Sequence, residues 1–330
     1  MSRNFVTALV LLGLAGCQPQ GGPPPGTSPP GSGATTGSAA GAKTAAAPTL
    51  PEARKGFVTK VVRRDEDKDP VEDPAPGVFE KVRYDAPPGK LAAYLTPNHK
   101  DGKKRPAIIW ITGGDCNSIG DVWSPAPAKN DQTAAAYRKA GIVMMFPSLR
   151  GGNDNPGTKE GFFGEVDDVL AAADFLAGRP DVDPARIYLG GHSTGGTLVL
   201  LVAESSDRFR AVFSFGPVSD VSGYGPEYCP FDLRNRKEVE LRSPGKWLAG
   251  VRSPTFVFEG AAGQSNVDEL QAMARASTNP MVKFLPVRKA NHFTVLAPVN
   301  RLIATRILAD DGPTTNLTFT EDEVNQAVAK

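Results

Sequence analysis

The chain has 330 residues, 40% of them hydrophobic and 22% charged, with a formal net charge of +1. That length and apolar fraction suit one large globular domain with additional segments. A near-neutral charge balance supplies no general basic field, so no nucleic-acid partner is expected.

The first seventeen residues, MSRNFVTALVLLGLAGC, place Arg3 before an apolar run from Phe5 to Leu14, followed by Ala15-Gly16-Cys17. The run is too short to span a bilayer and has the layout of a secretory signal. It resembles the bacterial lipoprotein signal, whose processing site ends in a cysteine. The resemblance implies cleavage before Cys17, lipidation of the Cys17 thiol and a lipid-anchored place in the bacterial cell envelope. Gln18 follows, with no aspartate to retain the chain at the inner membrane, so the outer membrane is the default expectation. Residues 18–50 are Pro, Gly, Ala, Ser and Thr with almost no large side chain. Such a segment cannot bury enough surface to offset its chain entropy and reads as a disordered tether. With Cys17 lipidated, Cys116 and Cys229 remain; an exported compartment permits a disulfide between them, and two free thiols fit equally well.

From Phe57 the pattern becomes that of a folded domain, taken as 57–310. FVTKVVRR, VFEKVRYD and KLAAYLTP read as N-terminal antiparallel strands with polar edges. RPAIIWITGG holds a continuous apolar run, which suits a central parallel strand covered on both faces. QTAAAYRKAG reads as a helix stopped by Gly141, and GIVMMFPS as the next buried strand. EVDDVLAAADFLAG has apolar residues at helical spacing, ARIYLGG is a strand and TGGTLVLLVAESS a helix. AVFSFG, TFVFEG and MVKFLPV read as strands; VDELQAMARAS and VLAPVNRLIATRIL read as helices. Alternating strands and helices predict an α/β fold with a mostly parallel, doubly wound sheet, and ligands at the carboxyl ends of its strands. Residues 217–250, irregular and rich in Gly, Pro, Arg and aromatics, read as a small lid insertion. Residues 311–330 read as a polar tail, in which Thr320 and Glu323 can form a capping box for a last short helix.

Gly191-His192-Ser193-Thr194-Gly195 is a Gly-x-Ser-x-Gly pattern between a buried strand and a helix. The tight turn forces the serine into strained dihedrals and leaves no room for a side chain two residues to either side. The Ser193 hydroxyl becomes the candidate nucleophile, and the Thr194 N–H at the helix start a candidate oxyanion donor.

The stretch GEVDDVLAAADFLAGRPDVDPARIYLGGHSTGG resembles the catalytic domain of the prolyl oligopeptidase family and its free-standing esterase relatives in the α/β-hydrolase superfamily. Val182-Asp183-Pro184-Ala185-Arg186-Ile187 and Ser193 match its pattern in order and spacing. The resemblance extends from about Lys90 to Leu308. It implies an α/β-hydrolase fold and a serine hydrolase. Trp110-Ile111-Thr112-Gly113-Gly114 stands where relatives carry His-Gly-Gly; Thr112 is a departure, but the glycines still let Gly113 or Gly114 offer the second oxyanion donor.

Three histidines are present. His99 lies in a polar loop. His192 lies inside the elbow, with its side chain expected to point away from the nucleophile's path. His292, in RKANHFTVLAP after the last strand, is the candidate base, and the order Ser then His fits the superfamily. The family places an aspartate about three residues after the glycine ending the preceding strand, but Gly263 stands there. Glu259, Asp268 and Asp220 are the substitutes: a strand-end carboxylate, a first-turn acid on a helix, and a residue after the strand AVFSFG. Glu259 is the choice, because an acid ending the apolar run Phe256-Val257-Phe258 is costly to bury without a partner.

These residues predict an acyl-enzyme mechanism on a carboxylic ester. Prolyl oligopeptidase-type peptide cleavage is the first alternative; the roughly forty residues ahead of the core are too few for a propeller. A non-catalytic binding or scaffold lipoprotein is the second. No cofactor or metal is expected: the histidines are scattered, and Asp65-Glu66-Asp67-Lys68-Asp69 lacks calcium-loop spacing. The partners expected are a small ester or peptide substrate and, through the lipid, a membrane.

Overall fold

The computed structural model describes residues 48–64 and 68–329. The expected signal, Cys17, most of the expected tether and part of the Asp65–Asp69 run lie outside the described residues.

Eight strands form one sheet: β1 (Glu80–Ala86), β2 (Gly89–Leu95), β3 (Arg105–Ile111), β4 (Val143–Pro147), β5 (Val182–His192), β6 (Val212–Phe215), β7 (Thr255–Gly260) and β8 (Val282–Val287). Their order is β1-β2-β4-β3-β5-β6-β7-β8. β1 pairs antiparallel with β2 and β2 with β4, and every pairing from β4 to β8 is parallel. Eight α-helices accompany the strands among the described residues: α1 (Leu50–Arg54), α2 (Ala136–Lys139), α3 (Glu165–Ala177), α4 (Thr194–Ser205), α5 (Arg236–Glu240), α6 (Val267–Ala276), α7 (Leu296–Ala309) and α8 (Glu321–Ala329).

The apolar runs of the central strands serve both faces of the sheet, as the pleat requires. In β3, Ala107, Ile109 and Ile111 face a core shared with Val166 and Val169 of α3 and Leu198 of α4. Ile108 and Trp110 face the opposite core, with Tyr137 of α2 and Val299 and Ile303 of α7. The same alternation separates Leu189 from Tyr188 and Val257 from Phe256 and Phe258. On α3 the neighbouring acids diverge: Asp168 is buried on Arg150, whereas Asp167 is exposed and meets Arg54.

Several boundaries differ from the sequence reading. FVTKVVRR is not a strand; only Val61 bridges, to Phe231. Its partners are the insertion's backbone and side chains: Val62 N–H donates to the Pro230 carbonyl at 2.7 Å and Lys60 N–H to Glu238 Oε1 at 2.8 Å. Leu50, assigned to the tether, begins α1 and is buried in the core. The helix expected over QTAAAYRKAG is a single turn, because Asp131 and Thr133 organise the preceding residues as turns. The 311–330 segment is not merely a polar tail: Leu317, Phe319 and Val324 are buried, and the Phe319 ring meets Phe256 at 4.8 Å. Its capping box forms, with Thr320 N–H on Glu323 Oε2 at 3.0 Å and Glu323 N–H on Thr320 Oγ1 at 3.2 Å. Cys116 and Cys229 are buried, unpaired thiols; burial pushes both pKa values up, Cys229 to about 12. The residues 217–250 hold two 3₁₀ turns and α5 before a final 3₁₀ turn at Leu248–Gly250.

Candidate active site

Ser193 sits between the end of β5 and the start of α4, with φ 56° and ψ −117°. A non-glycine residue at positive φ is strained, and the surroundings enforce it. A methyl on Gly191 would stand 2.5 Å from the Gly195 carbonyl oxygen, and one on Gly195 would stand 2.4 Å from that of Ile111. Both positions therefore tolerate only glycine, and the turn can close no other way. Ser193 N–H donates to the Phe215 carbonyl at 2.7 Å, which pins the elbow to β6. The Ser193 hydroxyl makes no hydrogen bond among the described residues. The first turn of α4 contains no acidic side chain, so no carboxylate of its own neutralises the positive end of the helix.

His292 follows β8 and is 6% exposed. Its main-chain N–H donates to the Gln264 carbonyl at 2.8 Å. Its Nδ1 lies 3.0 Å from Glu259 Oε1 and 3.3 Å from Oε2. Glu259 is fully buried near the end of β7, and its Oε1 also accepts the Asn266 N–H at 2.7 Å. A carboxylate only accepts, so His292 Nδ1 carries a proton directed at Glu259. The loop that lacks an aspartate thus contributes a backbone donor to the glutamate. Gly216, at φ 58°, makes the space: a methyl there would lie 2.5 Å from His292 Cε1 and 2.6 Å from Glu259 Oε2. The other acids are elsewhere. Asp220 Oδ1 accepts the Ser222 N–H at 2.9 Å, and Asp268 is exposed in the first turn of α6. His99 is exposed.

The glycines after β3 divide their roles. Gly113 N–H donates to Gln132 Oε1 at 3.2 Å. Gly114 N–H is unpaired among the described residues, and the Gly114 carbonyl accepts the Thr194 hydroxyl at 2.8 Å. The Thr194 hydroxyl thus holds the loop after β3 against the start of α4, while the Gly113 N–H is taken by Gln132. Gly114 and Thr194 border a cavity of about 430 Å³ whose walls include Phe162, Lys159, Arg63 and Tyr228. Lys159 pairs with Asp115 at 2.9 Å, and Arg63 donates to the Pro226 and Glu227 carbonyls. The insertion and the segment before β1 thus wall one cavity together.

His192 is buried, and its ring lies 4.5 Å from that of His292. Sequence reasoning missed Gln132, Asn266 and Gly216, none of which carries a motif.

Residues 129–236 match the prolyl oligopeptidase family, peptidase S9. A solved puromycin-hydrolyzing peptidase of Mycobacterium tuberculosis superposes with a TM-score of 0.58 at 20% identity, over 73% of this chain and 40% of that one. The chain has the α/β-hydrolase fold. The Ser193 elbow, the loop bearing His292 and the strand-end Glu259 all lie at the carboxyl edge of the sheet, where open α/β sheets bind ligands. An uncharacterized protein of Mycobacterium tuberculosis is 26% identical over 52% of this chain and 57% of its own length. Rat S-formylglutathione hydrolase is 25% identical over 48% of this chain and 61% of its own. The chain thus spans little more than half the length of these curated relatives.

Proposed function

We propose that this protein is a serine hydrolase that cleaves carboxylic esters through an acyl-enzyme. The observation that carries the reading is the conjunction of Ser193, at φ 56° on a glycine-enforced elbow, with the His292 Nδ1–Glu259 Oε1 contact of 3.0 Å. Ser193 Oγ attacks the acyl carbon while His292 Nε2 takes its proton. The developing oxyanion is received by the Thr194 and Gly114 N–H groups. His292 then returns the proton to the leaving alkoxide, and water repeats the sequence on the acyl-enzyme. Glu259 accepts the Nδ1 proton, orients the imidazole and balances its charge while it is protonated.

The similarity to rat S-formylglutathione hydrolase supports acyl transfer from a small substrate, and the cavity of about 430 Å³ lies against the proposed oxyanion donors Gly114 and Thr194. Peptide cleavage is the second reading, favoured by the prolyl oligopeptidase match and the puromycin-hydrolyzing neighbour. A matched pair of substrates separates them: kcat/KM for an aminoacyl p-nitrophenyl ester against the corresponding p-nitroanilide. An ester preference of at least about a hundredfold beyond the intrinsic reactivity difference supports the first reading, and comparable values support the second.

The sequence of residues 1–50 supports lipidation at Cys17 and a tethered domain in the cell envelope. Incorporation of labelled fatty acid, lost in Cys17→Ser, is the expected result.

A further inference from the structure

His192 and Gln132 form a bonded bridge that the proposed mechanism does not use. His192 is 1% exposed, and its Nε2 lies 2.9 Å from the His292 carbonyl oxygen. Its Nδ1 lies 2.8 Å from Gln132 Nε2. Gln132 Nε2 also donates to Asn130 Oδ1 at 2.9 Å, and its Oε1 accepts the Gly113 N–H at 3.2 Å. The Gly113 N–H can only donate, so the amide oxygen faces it and the amide nitrogen faces His192. His192 Nδ1 is then an acceptor, and the ring proton sits on Nε2, facing a carbonyl that only accepts. One neutral tautomer satisfies every atom of the bridge. An imidazolium would set Nδ1–H against the amide N–H, and burial together with the neighbouring His292 already holds the His192 pKa well below its ordinary value.

We propose that Gln132 and His192 are a positioning pair, which ties the loop after β3 to the main chain of His292 and keeps a neutral ring beside the base. This rests on reading Ser193 and His292 as nucleophile and base. The bridge runs from Gly113 N–H through Gln132 and His192 to the His292 carbonyl, so it joins the loop after β3, the elbow and the loop after β8. It fixes the oxyanion donors relative to the base, a separation on which catalysis depends steeply. It also matters electrostatically. His292 becomes cationic when it takes the serine proton, and a second charge on a ring 4.5 Å away would oppose that step.

The test uses the folded chain, a p-nitrophenyl ester and the variants Gln132→Leu, His192→Phe, their double mutant and Gln132→Glu. Gln132→Leu is expected to lower kcat by about 10- to 100-fold with KM changed by less than about threefold. The double mutant is expected to be no worse than the poorer single mutant, because both break one bridge. Gln132→Glu keeps the shape and the Gly113 bond but offers His192 Nδ1 an acceptor. It should therefore add to the pH profile of kcat an ionisation absent from the wild type. Multiplicative single-mutant effects, or wild-type kcat and pH profile in both Gln132 variants with only thermal stability lost, overturn the inference. An active wild type with unaffected variants defeats this inference alone; an inactive wild type whose Ser193 resists a fluorophosphonate defeats it together with the hydrolase reading.

Discussion

Glu259 Oε1 accepts a hydrogen bond from His292 Nδ1 at 3.0 Å across 33 positions of sequence, from inside β7 rather than from the turn beyond it. The carboxylate is fully buried, and its polar neighbours are the imidazole and the Asn266 N–H. Removing it leaves His292 free to rotate or change tautomer. Glu259→Gln is expected to lower kcat by about two to four orders of magnitude with KM little changed, while Asp220→Asn and Asp268→Asn stay within about threefold of wild type. Steady-state kinetics on one ester, with circular dichroism to check folding, read this directly.

Gly216→Ala carries a second prediction. Its methyl would stand 2.5 Å from His292 Cε1 and 2.7 Å from Nδ1, and the residue has φ 58°. The substitution is expected to push the imidazole off Glu259 and to cost at least about tenfold in kcat, besides about 1 kcal/mol or more from the backbone conformation. Kinetics and thermal melting on the same preparation separate the two effects.

Asp310 anchors the end of α7 to the sheet. Its carboxylate takes Arg210 at 2.7 Å on each oxygen and also the Tyr188 hydroxyl at 2.7 Å. Burial acts to raise its pKa, but these bonds outweigh it and hold the pKa at about 2. A depressed carboxylate pKa stabilises the fold above the unfolded value near 4, and that contribution disappears as pH falls through about 2. Denaturant melts at pH 7, 4 and 2 should show the loss. Asp310→Ala should remove about 3–5 kcal/mol at pH 7 by leaving Arg210 without its partner.

Glu204 is the opposite case. It is 2% exposed on α4, and both carboxylate oxygens lack a hydrogen-bond partner. Burial raises its pKa well above 4.5. The native state therefore keeps a proton that the unfolded chain releases, so stability falls as pH rises above about 4.5 toward the raised value. Glu204→Gln is expected to flatten that decline and to raise Tm at pH 7, with kcat unchanged. A Tm at pH 7 equal to or below that of wild type contradicts this.

The Ser193 elbow was legible in the sequence because its cause is local. The glycines that make room for Ser193 lie two residues away, and the flanking strand and helix show in the hydrophobic pattern. Glu259 was harder. Its apolar run marks a strand end, but its reach to His292 depends on the β7–β8 register, in which Glu259 stands opposite Pro286. That pairing has no short-range signal. The Gln132–His192 bridge was invisible for the same reason, since it joins the loop after β3 to the elbow and the elbow to the loop after β8. The segment 57–64 misled because Phe57, Val58, Thr59, Val61 and Val62 are the β-branched and aromatic types that strands favour. Its partners are Pro230 and Glu238 of the insertion rather than a sheet edge. The final segment looked polar because its few apolar residues are widely spaced, yet Phe319 closes an aromatic cluster with Phe213, Phe256 and Phe258.

The central claim is that Ser193 is a nucleophile activated by His292. A fluorophosphonate probe at neutral pH, followed by mass spectrometry of the labelled peptide, tests it most directly. Stoichiometric labelling of Ser193 in the wild type, absent in Ser193→Ala and at least about a hundredfold slower in His292→Ala, is the predicted result. A folded wild type that stays unlabelled, or a label on another residue, contradicts it.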